Sequence, residues 1–427
     1  MGGSIIIFVL AVVALLPLSS AADLLSQPPL VPGSDAARLT TLGDQFYWDG
    51  RFGEAQVAYE RALALDDRSL AANLGLGRIA DLRSDADQAR AHYSKAFQTN
   101  PTHPEAVLAF ASVVTGVARQ TLLGNFLTLN RHSTNDDRNS DAVARLAIER
   151  KLAGRAVGSV ADPHQTYRLA LSELRSNNLP SGLLLSARIN GGKLLSLQLD
   201  SGAQGMVLNP EAGRAAGLEI LAGAAMFGFG SEQPLLGNVA LAASVEFGTL
   251  KIANILAQVS DAKLVPYADG LIGLDVFKDF IIHLNARSRR LDLEPFESSE
   301  ACGDCSQAYR LDNLLLLQAK INGQAEGNFI LDTGSAISLI SHVMLAGSGR
   351  TTRLEGAQGQ QEVVRGSTPV SFRVGSQRFL TFDYGTLDTG RISARYRTSI
   401  AGVMGYALLR EINLMVDFRR GLVKLSR

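Results

Sequence analysis

The C-terminal part of the sequence carries one pattern twice, at a fixed spacing of 132 positions. Asp200-Ser201-Gly202 matches Asp332-Thr333-Gly334, with an apolar run before each. The other segments that recur at this spacing are 183–185, 189–191 and 271–273, together with Leu293, which recurs as Leu425. A gapless match over so long a span indicates a duplicated unit. We therefore expect two similar domains in this part of the chain.

Each copy has the pattern of β-structure. Short apolar segments, such as 183–189, are bounded by Asn-Gly pairs at 190–191 and 322–323. Asn-Gly between apolar runs is typical of tight hairpin turns. Before the first copy, residues 164–177 are predicted to form a helix. The change of pattern after that segment predicts an all-β region.

Each copy resembles the repeat unit of the retropepsin-like aspartic protease family. The shared marks are a strand, an Asp-Thr/Ser-Gly turn and a later glycine after two apolar residues, and the resemblance covers residues 179–427. In that family two units pair and each contributes one aspartate. The resemblance thus implies a single-chain pseudo-dimer with Asp200 and Asp332 as the catalytic pair, acting on peptides or proteins without a cofactor or metal. Two such carboxyls share one proton, so one can activate water while the other polarises the peptide carbonyl.

The resemblance also implies supporting roles for six residues. The glycines of the two aspartate turns let backbone amides approach the carboxylates. The hydroxyl residues of these turns resemble those that hydrogen-bond between lobes in the family, and the two later glycines resemble the one that lies against the aspartate loop. The six residues are Ser201, Thr333, Gly202, Gly334, Gly273 and Gly405.

The β region has two other features that bear on the site. A third Asp-Thr-Gly at 388–390 follows no apolar strand and has no counterpart 132 positions earlier, so Asp388 is interpreted as a turn residue. Glycine-bearing segments in each copy are candidates for a hairpin that closes over the substrate, or equally for plain turns. These flap candidates are Phe227, Gly228, Phe229, Gly230, Gly356 and Gly359.

The N-terminal part contains a different repeat. Glycine, alanine and tyrosine recur 34 residues apart, as in Gly43 and Gly77 or Tyr59 and Tyr93, within residues 36–104. This period resembles tetratricopeptide repeats, which are helix pairs. We expect a helical module over residues 23–160 with a degenerate third unit. It is interpreted either as a docking module for a protein partner or as a structural spacer.

The first 22 residues resemble a secretory signal. An apolar run over 5–18 is followed by Ser20-Ala21-Ala22, although no basic residue precedes it. This pattern predicts export, periplasmic or secreted, with cleavage after Ala22, or anchoring in a membrane if the segment is uncleaved. Cys302 and Cys305 lie in a polar linker, residues 298–309, and are the candidates for a local disulfide in an exported protein.

Charge and composition exclude several classes of function. Lys plus Arg number 41 and Asp plus Glu number 41, so the charge balance gives no nucleic-acid footprint. The fold expected is multidomain, with the all-α module followed by lobes at 178–297 and 310–427. The expected function is aspartic endopeptidase. The alternatives are a non-catalytic peptide-binding protein with a relic cleft, and an enzyme whose lobes pair between chains.

Overall fold

The computed structural model describes residues 34–132, 137–176, 179–226, 235–265, 267–298, 302–347, 349–356 and 359–427. The signal-like segment 1–22 therefore lies outside the described residues. Among the helices in these ranges, none is long and apolar enough to cross a membrane. The chain divides into an N-terminal helical region and a large β-rich region.

Within the described residues, the helical region contains seven α-helices. They are α1 Ser34–Trp48, α2 Phe52–Leu65, α3 Leu70–Leu82, α4 Ala86–Thr99, α5 Pro104–Ser112, α6 Gly116–Leu129 and α7 Asp137–Leu152. Ser69 and Asp85 cap α3 and α4 by accepting hydrogen bonds from Ala72 N and Gln88 N. Gly50, at φ +74°, forms the turn between α1 and α2.

Glycine and tyrosine bring paired helices close together. A Cβ on Gly43 in α1 would lie 2.5 Å from Tyr59 Cε1 in α2. A Cβ on Gly77 in α3 would likewise lie 3.0 Å from Tyr93 Cζ in α4. Only glycine leaves room for these rings, so the two contacts explain why the pattern repeats at 34 residues.

The β-rich region has two parts, which we call the first and second β halves. The first half contains β1 Ser159–Val160, β2 Tyr167–Ser176, β3 Leu179–Ile189, β4 Leu194–Leu199, β5 Met206–Leu208, α8 Pro210–Ala215, β6 Glu219–Met226, β7 Leu235–Phe247, β8 Leu250–Ser260, β9 Gly270–Ile272, a 3-10 turn Leu274–Phe277, β10 Ile281–Asn285 and β11 Arg290–Glu294. A 3-10 turn at Phe296–Ser298 follows.

The second β half repeats much of this order. It contains β12 Ser306–Leu311, β13 Leu314–Ile321, β14 Ala325–Leu331, β15 Ser338–Ser341, β16 Thr351–Gly356, β17 Gly359–Arg365, β18 Val370–Val374, β19 Gln377–Thr381, β20 Tyr384–Leu387, α9 Gly390–Tyr396, β21 Gly402–Met404, α10 Tyr406–Leu409, β22 Asn413–Asp417 and β23 Leu422–Ser426.

The strands around the two aspartates pair alike in both halves. In the first half β4 runs parallel to β9, β9 pairs with β5, and β5 runs parallel to β8. In the second half β14 runs parallel to β21, β21 pairs with β15, and β15 runs parallel to β20. The sequence offset does not stay at 132 throughout, however. Met206 pairs with Ala257 and Ser338 with Tyr384, so the partner strands are 127 positions apart.

Strands from both halves form one interface sheet. Its order is β2–β11–β10–β22–β23–β12, and the antiparallel contact between β10 and β22 joins the halves. His283 pairs with Met415 at the centre of this contact, with Ile281 opposite Asp417 at one end. The apolar side chains of both halves meet in one continuous core around this sheet.

The helix predicted over residues 164–177 is wrong, because the chain there forms strand β2. Tyr167, Leu169 and Leu171 are buried while the residues between them are exposed. This period of two fits a strand with one covered face, and β2 pairs with β11 and β3. The further apolar residue at Leu174 gave the segment a partly helical spacing.

Candidate active site

Asp200 and Asp332 each follow the end of a buried strand, β4 and β14. The amide of Asp200 donates to the carbonyl of Ile272 in β9 at 2.9 Å. The amide of Asp332 donates to the carbonyl of Met404 in β21 at 3.0 Å. Each aspartate is thus held at the end of a parallel strand pair, where the backbone leaves the sheet.

The residues after each aspartate turn back onto its carboxylate. Gly202 N donates to Asp200 Oδ1 at 2.8 Å. Gly334 N donates to Asp332 Oδ1 at 2.8 Å, and Ser335 N adds a second bond at 3.0 Å. These backbone donors fix the orientation of both carboxyls before any ligand arrives.

Ser201 and Thr333 join the two turns by four buried hydrogen bonds. The Ser201 hydroxyl accepts from Thr333 N at 2.9 Å and donates to Leu331 O at 2.9 Å. The Thr333 hydroxyl accepts from Ser201 N at 3.0 Å and donates to Leu199 O at 2.8 Å. Both side chains are almost fully buried. Each hydroxyl reaches the other half of the β-rich region and forms its hydrogen bonds there, so neither of these buried hydroxyls lacks a partner.

The two turn glycines bring the carboxyls face to face. A Cβ on Gly202 would lie 2.6 Å from Asp332 Cγ, and one on Gly334 would lie closer still to Asp200 Cγ. Any larger residue would push the opposite carboxyl away. The structure thus brings together Asp200, Asp332 and the four turn residues predicted to support them.

The electrostatics of the pair favour a shared proton. Desolvation by the surrounding protein raises the pKa of Asp200 well above its ordinary value, and the charge and hydrogen bond of Asp332 raise it further. Desolvation also raises the pKa of Asp332, opposed first by its hydrogen bond with Asp200. Both side chains keep part of their surface open to solvent. Two carboxyls in hydrogen-bond contact and reachable by water titrate as a unit.

The later glycines, Gly273 and Gly405, lie beside the aspartate turns. Gly273 N donates to Gly205 O at 2.7 Å, and a Cβ on Gly273 would lie 2.5 Å from Ala203 O. Gly405 N donates to the hydroxyl of Ser338 at 3.1 Å. Both glycines allow a close backbone approach, but the partners differ between the two halves.

Three residues near the pair were not predicted. Gln198 in β4 donates through Nε2 to Gly334 O at 3.2 Å. Asp275 accepts hydrogen bonds from Gly205 N at 2.9 and 3.0 Å and from Asn313 Nδ2 at 2.8 Å. Burial raises the pKa of Asp275, and the Gly205 amide opposes that rise. Gln198 is a polar residue in the apolar run 194–199, whereas the matching position of the second copy is Ile330. This difference was the one signal for Gln198 in the sequence.

Asp388 has a different setting from the other two aspartates. Its Oδ1 accepts from Gly390 N at 2.7 Å, so the local turn is the same. Asp388 is exposed and precedes α9, at the surface.

The flap candidates fall at two hairpins. Gly356 and Gly359 form the closing pair of the β16–β17 hairpin. In the first half, Met226 and Leu235 close the β6–β7 hairpin, and Phe227, Gly228, Phe229 and Gly230 lie outside the described residues.

Across the described ranges, no cluster of three or more His, Cys, Asp or Glu side chains could hold a metal ion. Cys302 and Cys305 are joined as a disulfide with their Cα atoms 5.6 Å apart. This bridge closes the turn before β12, in the linker between the halves.

Comparison with known proteins supports the character of this region. Residues 185–276 match a family model described as aspartyl protease. The match begins in β3, includes Asp200 and ends in the 3-10 turn after β9. No curated protein matches the chain. The molecule is thus a helical region followed by a β-rich region that contains an aspartyl protease domain.

Proposed function

We propose that this protein is an aspartic endopeptidase in which Asp200 and Asp332 form one catalytic pair within a single chain. The observation that carries the proposal is the cross-bonded pair of turns. Ser201 and Thr333 each bond to the opposite turn, and the two turn glycines bring each carboxyl against the opposite turn. This arrangement suits two carboxyls that share one proton at a solvent-accessible site.

The chemistry follows from that shared proton. The ionised carboxyl takes a proton from a bound water as the water oxygen attacks the peptide carbonyl carbon. The neutral carboxyl gives its proton to the carbonyl oxygen, which stabilises the developing charge. Collapse of the tetrahedral intermediate breaks the C–N bond. The leaving nitrogen takes up a proton from one carboxyl while a hydroxyl of the intermediate gives its proton to the other, so the pair again shares one proton. We assign neither role to one aspartate, because the pair titrates as a unit.

We further propose that the two β halves are duplicated lobes of a pseudo-dimer. The β10–β22 contact supports this, because Ile281 pairs with Asp417 while Asn285 pairs with Asn413. Residues 413 and 417 are the positions that match 281 and 285 at the 132-residue spacing. A contact in which matching residues exchange partners is isologous, as at a two-fold axis between identical subunits.

The proposed substrate is an extended peptide with apolar residues near the scissile bond. The β6–β7 and β16–β17 hairpins are the candidate flaps, and in the described residues β6 and β16 each pair with one strand. The other edge of such a strand suits a peptide that binds as an added strand. We also propose that the helical region is built of tetratricopeptide-like repeats and that the protein is exported.

The test is cleavage of an unstructured protein mixture from about pH 3 to pH 7. Asp200→Asn and Asp332→Asn should each lower kcat by about 10²–10⁴-fold, since each removes one of the two proton-transfer groups. Asp388→Asn is the matched control, because Asp388 makes the same turn hydrogen bond at the surface. It should cleave like the wild type.

Other outcomes would identify the alternatives. No cleavage by a folded, processed wild-type sample would favour a peptide-binding protein with a relic cleft. If mixing the two Asn variants restored cleavage, the lobes would be pairing between chains, and the single-chain pair would be wrong.

A further inference from the structure

Asp275 is a buried carboxylate next to the candidate active site that the proposed chemistry does not use. It lies in the 3-10 turn after β9 and is 9% exposed. Both of its oxygens lie within hydrogen-bond distance of Gly205 N, at 2.9 and 3.0 Å. Its Oδ2 also accepts from Asn313 Nδ2 at 2.8 Å. One carboxylate therefore connects the first β half to a residue of the second.

The bonds from Asp275 reach the loop that carries Asp200. Gly205 lies five residues after Asp200, adopts φ +63°, and has its carbonyl bonded to Gly273 N at 2.7 Å. Its amide is bonded to Asp275, so both backbone groups of Gly205 are held. Movement of this loop relative to Asp275 would break these bonds, and movement of Asp275 relative to the second half would break its bond to Asn313.

The second β half holds its own aspartate turn in another way. Ala407 stands at the position that matches Asp275, and its amide donates to Ala336 O at 3.1 Å. The hydroxyl of Ser338 accepts from Gly405 N at 3.1 Å. These bonds stay within the second half. The Asp200 loop is held through the carboxylate of Asp275, which also bonds to Asn313 of the second half.

We propose that Asp275, together with Asn313, is a positioning residue that sets the Asp200 loop against the second half. The inference rests on the proposed function, and it assigns Asp275 to the alignment of the two carboxyls and not to substrate contact. Misalignment of reacting groups lowers the rate of the chemical step more than the affinity for substrate. Changes at this pair should therefore lower kcat and leave KM nearly unchanged.

The sharpest test exchanges the acceptor and the donor. Asn313→Asp places two carboxylates against each other, and Asp275→Asn replaces the charged acceptor of Gly205 N by a neutral amide, which makes a weaker hydrogen bond. Each single variant should lower kcat by about tenfold, with KM within about twofold of the wild type. In the double variant the amide at position 275 can accept from Gly205 N and donate to the carboxylate at 313. It should recover kcat to within about threefold of the wild type.

Asp269→Asn is the matched control. Asp269 lies six residues before Asp275 and its Oδ2 accepts from Ser196 N at 2.9 Å, a contact within the first half. This variant should keep kcat within about twofold, and adding it to Asn313→Asp should restore nothing. Circular dichroism and urea unfolding establish that each variant is folded before its kinetics are compared.

Three results would overturn the proposal. Folded single variants with unchanged kcat, losses confined to KM, or a double variant no better than the singles would each show that Asp275 does not position the loop. If the wild type cleaves and these variants have the same kcat, only the positioning role of Asp275 is refuted. A wild type that cleaves nothing refutes the proposed function, and this inference with it.

Discussion

At the scale of single residues, each of the two catalytic candidates has two backbone amides beside its carboxyl. Asp332 Oδ1 accepts two backbone amides, those of Gly334 and Ser335. The backbone amides of Gly202 and Ala203 lower the pKa of Asp200, but less than desolvation and Asp332 raise it. Burial raises the pKa of both Asp200 and Asp332, so the pair is shifted toward the form that keeps a proton. This shift has a consequence for stability as well as for catalysis.

The raised pKa of Asp200 predicts how stability changes with pH. A raised pKa means that the folded state binds the proton more tightly than the unfolded chain does. The resulting stabilisation is full below the ordinary value of 3.8 and is lost as pH rises through the folded value. Asp200→Asn carries no such group, so its free energy of unfolding should exceed that of the wild type at about pH 7. The excess should shrink toward about pH 4.

Urea unfolding at the two pH values measures this difference. Asp388→Asn is the control, because it replaces an aspartate in a turn of the same kind at the surface. An Asp200→Asn variant that is equally or less stable than the wild type at about pH 7 would contradict the shift.

The sequence predicted some of these residues and not others, for a physical reason. Asp200 and Asp332 stand in a pattern that recurs at a fixed spacing, and so do the residues of their turns. Asp275 and Asn313 have no such pairing, because Ala407 and Ser181 occupy the matching positions. A hydrogen bond between residues 38 positions apart, in different halves, depends on tertiary geometry, which local patterns do not contain.

At the scale of elements, the helix pairs depend on glycine at the contact. Gly43→Ala would place a methyl group against the ring of Tyr59, in a buried position. Overpacking of this kind should lower the free energy of unfolding by about 1–3 kcal/mol. Gly124→Ala in α6 should have the opposite sign, because among the described residues no atom beyond its chain neighbours and the nearby helix backbone lies within 4 Å of its added Cβ. Alanine there should stabilise the helix by about 0.5–1 kcal/mol.

Urea unfolding of the two full-length variants tests the contrast directly. Because both are Gly→Ala changes within helices, helix propensity acts alike in both and the contact decides the sign. A Gly43→Ala variant at least as stable as the wild type would mean that α1 and α2 do not pack through this contact.

Strand β2 shows why some elements escape prediction. Tyr167, Leu169 and Leu171 alternate as a strand requires, but Leu174 and the polar residues around it also fit a helix. The segment is a strand because β11 and β3 lie on its two sides and satisfy its backbone. These partner strands lie far along the chain or beyond a hairpin. The local sequence fits both a helix and a strand, and tertiary pairing selects the strand.

At the scale of the whole molecule, the helical region is fused to the second β half. Apolar residues of α1, α2 and α3 share one cluster with residues of β12, β13, β14 and β21. Polar bonds border this cluster, such as Thr398 Oγ1 to Tyr47 O at 2.9 Å and Arg310 to Asp81 at 3.0 Å. This face of the helices is therefore covered by the chain itself and is not open to a separate partner.

The other end of the helical region reaches the first β half. Leu152 of α7 packs with Leu221 of β6 and Leu241 of β7. Lys151 Nζ donates to Ile220 O at 3.0 Å, close to the base of a candidate flap hairpin. The helices thus contact both halves of the β-rich region, which favours a structural role within the same unit over a loose spacer.

This shared core predicts that damage in α2 spreads to the aspartate strands. Phe52 is fully buried in α2 and its ring centroid lies 4.6 Å from that of Tyr309 in β12. Phe52→Ala should cost about 3–5 kcal/mol and should reduce amide exchange protection in β14 and β21. Phe126→Ala removes an equally buried ring from α6, in a cluster formed by α5, α6 and α7 with Phe97 of α4 packed against it. Its effect should stay within those helices.

Hydrogen exchange followed by mass spectrometry separates the two cases, because peptides from β14 and β21 report on the strands that hold Asp332. If both variants lost protection only in the helices, the helical region would unfold independently and would act as a separate module. If Phe52→Ala alone loosened these strands, the helices would be part of the framework that holds one of the two aspartates. If the helices unfolded separately, they could give up their contact with the second half and bind another partner. A core shared with the second half does not allow such an exchange.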